Sequence, residues 1–241
     1  LFTTYGSPLS SEGKRSLMLT TRRRVSDATL NKYQPTATQL HGDTEAVEYT
    51  TEDDTSSLSR PVTLAQHSQD VKTVANRFAR TCGLPDAIVD DITLAAWLHD
   101  SGKADPRFQV CLHGGDQVAA LAAESLLAKS GTSPSNWPAA LALSGYPKGM
   151  RHEALSAAMV TQSDEVRRIS NDVDLVTHLV GTHHGRGRPF FKPTPDDQPV
   201  LVKLTLEDGT ILSANSNHHI ERLDSGWVDR FWALTRRYGY W

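Results

Sequence analysis

Cysteine is scarce in this 241-residue chain: only Cys82 and Cys111 are present, too few for a disulfide framework and without the paired spacing of a zinc finger. A reducing, cytoplasmic setting is the expectation. No apolar run approaches membrane-spanning length, and the opening Leu1-Phe2-Thr3-Thr4-Tyr5-Gly6 lacks a basic stretch followed by an apolar core, so no membrane partner is expected. Charge of one sign is also missing. With 25 Lys and Arg against 28 Asp and Glu, the formal net charge is -3, so any attraction to nucleic acid must come from a local basic patch. There is no Gly-x-x-x-x-Gly-Lys-Ser/Thr loop, which excludes an ATPase motor of the P-loop type from this stretch, and there is no internal repeat. The chain opens on Leu1 instead of methionine. A piece of a longer protein is the expectation, with a tag scar or processing as alternatives.

The first sixty residues read differently from the rest. Lys14, Arg15 and Arg22 to Arg24 form a basic start, Asp43, Glu45, Glu48 and Glu52 to Asp54 an acidic stretch, and few apolar residues recur at helical spacing. Residues 1–60 are expected to be a linker or docking segment, with the main domain over 61–241. From Pro61 the pattern changes. Thr63 is a plausible N-cap for a helix whose inner stripe is His67, Val71, Val74 and Phe78. Pro85 and Asp86 open a second helix with Ile88, Ile92, Ala95 and His99 inward, ended by Gly102. Further helices are expected near 117–129, 152–167 and 172–184. Another, carrying Trp227, Phe231, Trp232 and Leu234, is expected still to be running at Trp241. The exception is Val200 to Leu206, alternating, followed by Asp208-Gly209 and Thr210-Ile211-Leu212, a β-hairpin signal near 200–214 in a mainly α-helical domain.

The chemistry lies in the histidines. His99-Asp100-Ser101-Gly102-Lys103 sets an imidazole beside a carboxylate at a helix end, with His67 upstream, His152 downstream and the pair His183-His184 after that. Imidazole suits Mn, Fe, Co, Ni and Zn, and a carboxylate can bridge two such ions; Asp100 is the natural bridge. Two ions can activate a water for in-line attack on phosphorus and offset charge on the phosphoryl oxygens. Lys103 is expected to reach a phosphate oxygen as a point charge. A single inward histidine is ordinarily a core residue with satisfied nitrogens, but the whole set is a costly group of buried polar atoms without a ligand. His218-His219 sits in a polar Asn215-Ser216-Asn217 context and reads as solvated loop, and no pattern supports His41, His113 or His178. Arg186, Arg188 and Lys192 follow the histidine pair directly and are candidates to track phosphates. Trp227, Phe231 and Trp232 read as core packing in preference to a base-stacking platform.

These residues resemble the HD phosphohydrolase superfamily and, more closely, the HD nuclease domain of the CRISPR-associated helicase-nuclease of type I systems. The resemblance rests on His67 in Leu-Ala-Gln-His-Ser, on Trp97-Leu98-His99-Asp100-Ser101-Gly102-Lys103-Ala104-Asp105-Pro106-Arg107-Phe108-Gln109, on Arg151-His152-Glu153 and on Thr182-His183-His184-Gly185. It spans roughly residues 61–241. It implies an HD helical bundle and two divalent transition-metal ions (Mn, Fe, Co or Ni). It also implies cleavage of single-stranded DNA in antiviral defence, with a helicase in the same or a partner chain and an RNA-guided surveillance complex as partners. One ion would take His67, His99 and Asp100, the other Asp100, His152, His183 and His184. The family pattern ends in a further aspartate on a late helix. Asp224 and Asp229 are the candidates by position, and the expectation is that this ligand lies beyond Trp241. An upstream helicase ahead of the linker is a further expectation. Two alternatives stand beside the nuclease: a phosphohydrolase of small nucleotides, and a binding module with an incomplete metal site.

Overall fold

The computed structural model describes residues 60–131 and 136–239, together with the backbone of two short strands nearer the start. Two compact units divide the chain, Leu1–Val47 and Glu48–Trp241. In the first, β1 (Thr3–Gly6) pairs antiparallel with β2 (Leu17–Thr20), Thr3 opposite Thr20 and Gly6 opposite Leu17. The remainder of the stretch read as a linker, up to residue 59, lies outside the described residues.

The second unit is mainly helical. Strand β3 (Val62–Thr63) leads into α1 (Leu64–Thr81), and Thr63 Oγ1 accepts the Gln66 N–H at 3.2 Å as the N-cap. Helix α2 (Asp86–Leu98) packs along α1. The inward line of α1 is Leu64, Ser68 and Ala79, whereas Val74 and Phe78 are 42 % and 59 % exposed. The expected stripe therefore fails in its second half. Small side chains on α1 let α2 approach, and the Asn76 amide donating to Thr93 Oγ1 at 2.9 Å holds that rotation. On α2 the buried positions are Val89, Asp91, Ala95 and Leu98, with Ile88 and Ile92 only half-buried on the flank. Asp91 caps a distant turn by accepting the N–H groups of Asn171 and Asp172, both at 2.8 Å.

A 3-10 turn (Ser101–Ala104) follows α2, then α3 (Pro106–Leu112), α4 (Gln117–Ala122) and β4 (Leu127–Lys129). The helix expected over 117–129 thus stops at Ala122, and its second half is a strand paired with β3. Tertiary hydrogen bonds decide this. Leu64 N donates to Leu126 O at 2.7 Å, while the Gln109 amide accepts from Leu127 N at 2.8 Å and donates to Leu127 O at 2.9 Å, as a neighbouring strand would.

Helix α5 (Trp137–Ser144) packs on α3, and α6 (His152–Gln162) runs through the centre, buried from His152 to Val160. A helix buried on every side must be covered all round. The 3-10 turn, α8 (Val173–Thr182) and the hairpin do this. The helix expected over 152–167 is divided by Ser163, whose Oγ caps α7 (Asp164–Ile169). The hairpin is where the alternation placed it: β5 (Leu201–Thr205) pairs with β6 (Ile211–Asn215), Leu201 opposite Asn215. Its inward Val202, Leu212 and Ala214 join Leu98, Leu155, Met159, Val176, Val180 and Trp227 in the main core. A second cluster of Phe108, Cys111, Leu112, Trp137, Tyr146 and Met150 lies around α3 and α5.

The last helix, α9 (Trp227–Tyr238), ends three residues before Trp241, with Gly239 at φ 90° closing it. The expected continuation to Trp241 is thus cut short at Tyr238, and residues 240–241 lie outside the described residues. Trp227 and Phe231 are core residues, but Trp232 is 46 % exposed. Gly102 also departs from expectation. It is not a helix cap; a Cβ on it would lie 2.1 Å from the His152 carbonyl oxygen. The glycine lets the turn and the first residue of α6 touch, sealed by Gly102 N donating to Ser156 Oγ at 2.7 Å. Gly102→Ala is accordingly expected to cost at least the roughly 1–3 kcal/mol of an overpacked core. Urea denaturation measures this, and an unchanged midpoint would contradict the close approach.

Candidate metal centre

Five histidines and one carboxylate converge where α1, α2, α6 and α8 meet. His67 comes from the second turn of α1, His99 closes α2, Asp100 follows it, His152 opens α6, and His183 closes α8 with His184 next. Asp100 is 1 % exposed and its two oxygens face different ways. Oδ2 lies 3.4 Å from His67 Nε2 and 3.3 Å from His99 Nε2. Oδ1 lies 3.0 Å from His152 Nε2 and 3.6 Å from His183 Nε2. The His184 ring is 4.2 Å from that of His183 and 5.2 Å from that of His152, centroid to centroid.

Burial governs the protonation of the imidazoles. It pushes His67 down to about 4, with the neighbouring His99 and Lys129 adding to the shift and Asp100 opposing it. His152 is pushed down to about 4 by burial, against the hydrogen bond it donates to Asp100, and His184 to about 3 by burial and by its neighbours His183 and His152. Burial alone would raise Asp100, but Lys103 and His99, with the hydrogen bond from His152 and the nearby His183, hold it well below the usual carboxylate range. At neutral pH His67, His152 and His184 are therefore neutral beside an ionised Asp100, the state in which both donor types bind metal. His183 Nε2 is buried and makes no hydrogen bond. Two donor sets could each hold an ion, Asp100 with His152, His183 and His184, and His67 with His99 and Asp100, their donor atoms within 4.8 Å of one another. The residues present fit a transition-metal centre.

Lys103 has a different partner from the expected phosphate. It is 3 % exposed, with Nζ 2.9 Å from Asp100 Oδ2 and 3.2 Å from the Ala128 carbonyl oxygen. Arg186, Arg188 and Lys192 lie exposed on the segment after α8, with Arg188 Nη2 3.5 Å from Thr182 Oγ1. Asp224 and Asp229 are exposed and belong to neither donor set; Asp224 pairs with Arg222 at 2.8 Å. His218 and His219 also stay outside, beside Glu221 at 3.5 and 3.9 Å.

Two site residues escaped the reading of the sequence. Lys129 is half-buried on β4, and its charge is felt at His67 and balanced by Asp100. A helix drawn through 117–129 hid that placement. Glu153, wholly buried beside His152, receives Arg151 Nε at 2.7 Å on Oε1. Its adjacency to His152 was the available signal.

The family described as "Cas3, HD domain" matches residues 50–202, more than half of the chain. The chain belongs to the Cas3 HD-domain family. That makes it an HD-superfamily hydrolase of the CRISPR-associated nuclease family, with a histidine and aspartate cluster able to hold metal. No curated protein and no solved structure matches it. Among the described residues no helix is long and apolar enough to cross a membrane. The match ends at residue 202, so β6 and α9 complete the packing of the domain beyond it.

The depressed histidines set a pH window. Each of His67, His152 and His184 takes up its proton in the unfolded chain near 6.5, but in the folded chain only near 4 or below. Stability of the metal-free protein should be full above 6.5 and fall as pH drops from 6.5 toward 4, with at most one proton per histidine in the slope. Asp100, a carboxylate lowered from 3.8, adds stability that is lost only below this window. Urea midpoints of chelator-treated protein across the window check the sign; a flat profile would contradict neutral burial.

Proposed function

We propose that this chain is the nuclease module of a type I CRISPR interference system, a two-metal phosphodiesterase that cuts single-stranded DNA in antiviral defence. The observation that carries the reading is Asp100, one buried carboxylate whose two oxygens address two separate histidine sets. Asp100 would serve both ions, with His67 and His99 completing one site and His152, His183 and His184 the other. Mn, Fe, Co or Ni suits such donors. The two ions would supply an activated water and offset charge on the phosphoryl oxygens. The set of three protein donors is the count that leaves room for water and substrate, which favours an enzyme over a binding module.

Lys103 acts on Asp100: its ammonium orients the carboxylate and offsets its charge, and no phosphate contact is assigned to it. Arg186, Arg188 and Lys192 supply the local positive charge that a chain of net charge -3 needs to hold a phosphodiester strand. A helicase, in the same or a partner chain, would deliver that strand, with an RNA-guided surveillance complex selecting it. Residues 1–60 serve as linker or docking segment to the nuclease over 61–241. Duplex DNA is a poor fit, because the buried Asp100 and His152 are reached by a flexible single strand and not by a rigid helix.

Elemental analysis of protein purified without chelator should find about two transition-metal ions per chain. Asp100→Ala should lose both, whereas His67→Ala or His184→Ala should lose about one. Cleavage of single-stranded DNA by Asp100→Ala should fall by more than the roughly 100-fold that loss of an outer partner brings. Full metal content in Asp100→Ala would end the bridging assignment, and preference for deoxynucleoside triphosphates over DNA would make the chain a small-nucleotide hydrolase.

Replacing Arg186 and Arg188 together should weaken single-strand binding and reduce its salt dependence by about one to two phosphate contacts, with metal content unchanged. An unaltered salt slope would remove these two arginines from the strand path.

A further inference from the structure

The ligand histidines solve one problem in two ways. For Nε2 to offer a lone pair to a metal, the ring proton must sit on Nδ1 and needs an acceptor there. His99 and His183 each close a helix, where the last carbonyls are unused by the helix itself. Their Nδ1 atoms lie 2.7 Å from Ala96 O and Val180 O, three residues back. His152 is the first residue of α6, so no helical carbonyl stands three residues behind it. On its Nδ1 side stands Glu153 Oε2, 3.8 Å away, with both side chains 0 % exposed.

The surroundings of Glu153 suit that task. Arg151 places Nε and Nη2 on the other oxygen, Oε1, both at 2.7 Å, while Oε2 lies on the side of the ring. Its position in the first turn of α6 also favours negative charge there. Meanwhile His152 Nε2 lies 3.0 Å from Asp100 Oδ1, a contact that in the absence of metal calls the proton to Nε2. The ring thus stands between two carboxylates. Asp100, at hydrogen-bond distance, favours the tautomer that blocks a metal, and Glu153, 3.8 Å from Nδ1, is placed on the side of the one that admits it.

We propose that Glu153, held by Arg151, is a positioning residue that draws the His152 proton to Nδ1 and so prepares Nε2 as a metal donor, the task that backbone carbonyls perform for His99 and His183. The inference rests on the metal-centre reading above. It assigns Glu153 no contact with substrate.

The test uses Zn²⁺ as a diamagnetic probe on the chelator-treated full chain. Glu153→Gln keeps shape but not function: Arg151 claims the amide oxygen, leaving an N–H₂ facing Nδ1 that selects the wrong tautomer. Wild type should bind two ions; Glu153→Gln should weaken one of them by roughly 10–100-fold and spare the other, and Glu153→Asp should recover part of the loss. Imidazole ¹⁵N spectra should place the His152 proton on Nδ1 in zinc-loaded wild type and on Nε2 in Glu153→Gln. Two zinc affinities within about threefold of wild type in folded Glu153→Gln would overturn the proposal. So would a proton on Nε2 of His152 in loaded wild type, a measurement that needs no variant and decides the matter if Glu153→Gln does not fold. Wild type that binds no Zn²⁺ is a different result: it removes the metal centre itself, and the positioning role with it.

Discussion

A carboxylate with 1 % of its surface exposed is the constraint around which this domain is arranged. Removing an ionised Asp100 from water costs several kcal/mol unless charge and hydrogen bonds meet it inside. Here they arrive from distant parts of the chain: His67 on α1, His99 on α2, Lys103 on the turn, His152 on α6 and His183 on α8. Packing and charge balance are therefore one problem. The turn that carries Asp100 can meet α6 only because position 102 has no side chain, and Ser156, which accepts from Gly102 N and donates to the His152 carbonyl at 3.0 Å, fixes the spacing between the carboxylate and its partner.

A second buried charge group ties the outer segment to this centre. Arg107 reaches Asp105 at 2.8 Å and Asp196 at 2.9 Å, both carboxylates almost wholly buried, and Asp196 in turn accepts from Ser216 Oγ at 2.6 Å at the end of the hairpin. One guanidinium thus links the start of α3, the segment after α8 and β6. Losing one member of such a group leaves uncompensated charge inside, a matter of about 3–5 kcal/mol, so the link is rigid. Arg186, Arg188 and Lys192 lie on the stretch between α8 and Asp196. They are exposed side chains on a backbone anchored at both ends, by Trp227 Nε1 donating to Gly187 O at 2.8 Å as well as by Arg107. Cations on an anchored segment lose less freedom on meeting a phosphate chain than cations on a loose one.

The cluster that gathers His67 to His184 carries a partly local signature at helix ends, His99 beside Asp100 and His183 beside His184, with Gly102 and Gly185 close behind. The hairpin was legible too, since alternation and Asp-Gly are local. What could not be read was each feature decided across space. Gln109 looks like one more polar residue on α3, yet its amide pins Leu127 into a strand and so carries Lys129 to the metal centre. Lys103 has the spacing of a residue that could project from a turn, but a buried anion one turn away claims it. Val74 and Phe78 have helical spacing with His67, and only the approach of α2 to small residues on α1 shows that the buried face is the adjacent one.

Helix ends explain why these particular residue types recur at the centre. A helix C-terminus carries partial negative charge and free carbonyls, so His99 and His183 find there both a proton acceptor for Nδ1 and a field that welcomes a cation at Nε2. A helix N-terminus carries the opposite charge. It would repel the same cation from His152, and the local remedy is a carboxylate within that first turn, which Glu153 provides with Arg151 to keep it in place. The His-Asp and His-His blocks need no such neighbour, because they end helices; the Arg-His-Glu block does, because it begins one. On this argument the residue after the ligand is set by the direction of the helix that presents it as much as by the metal itself.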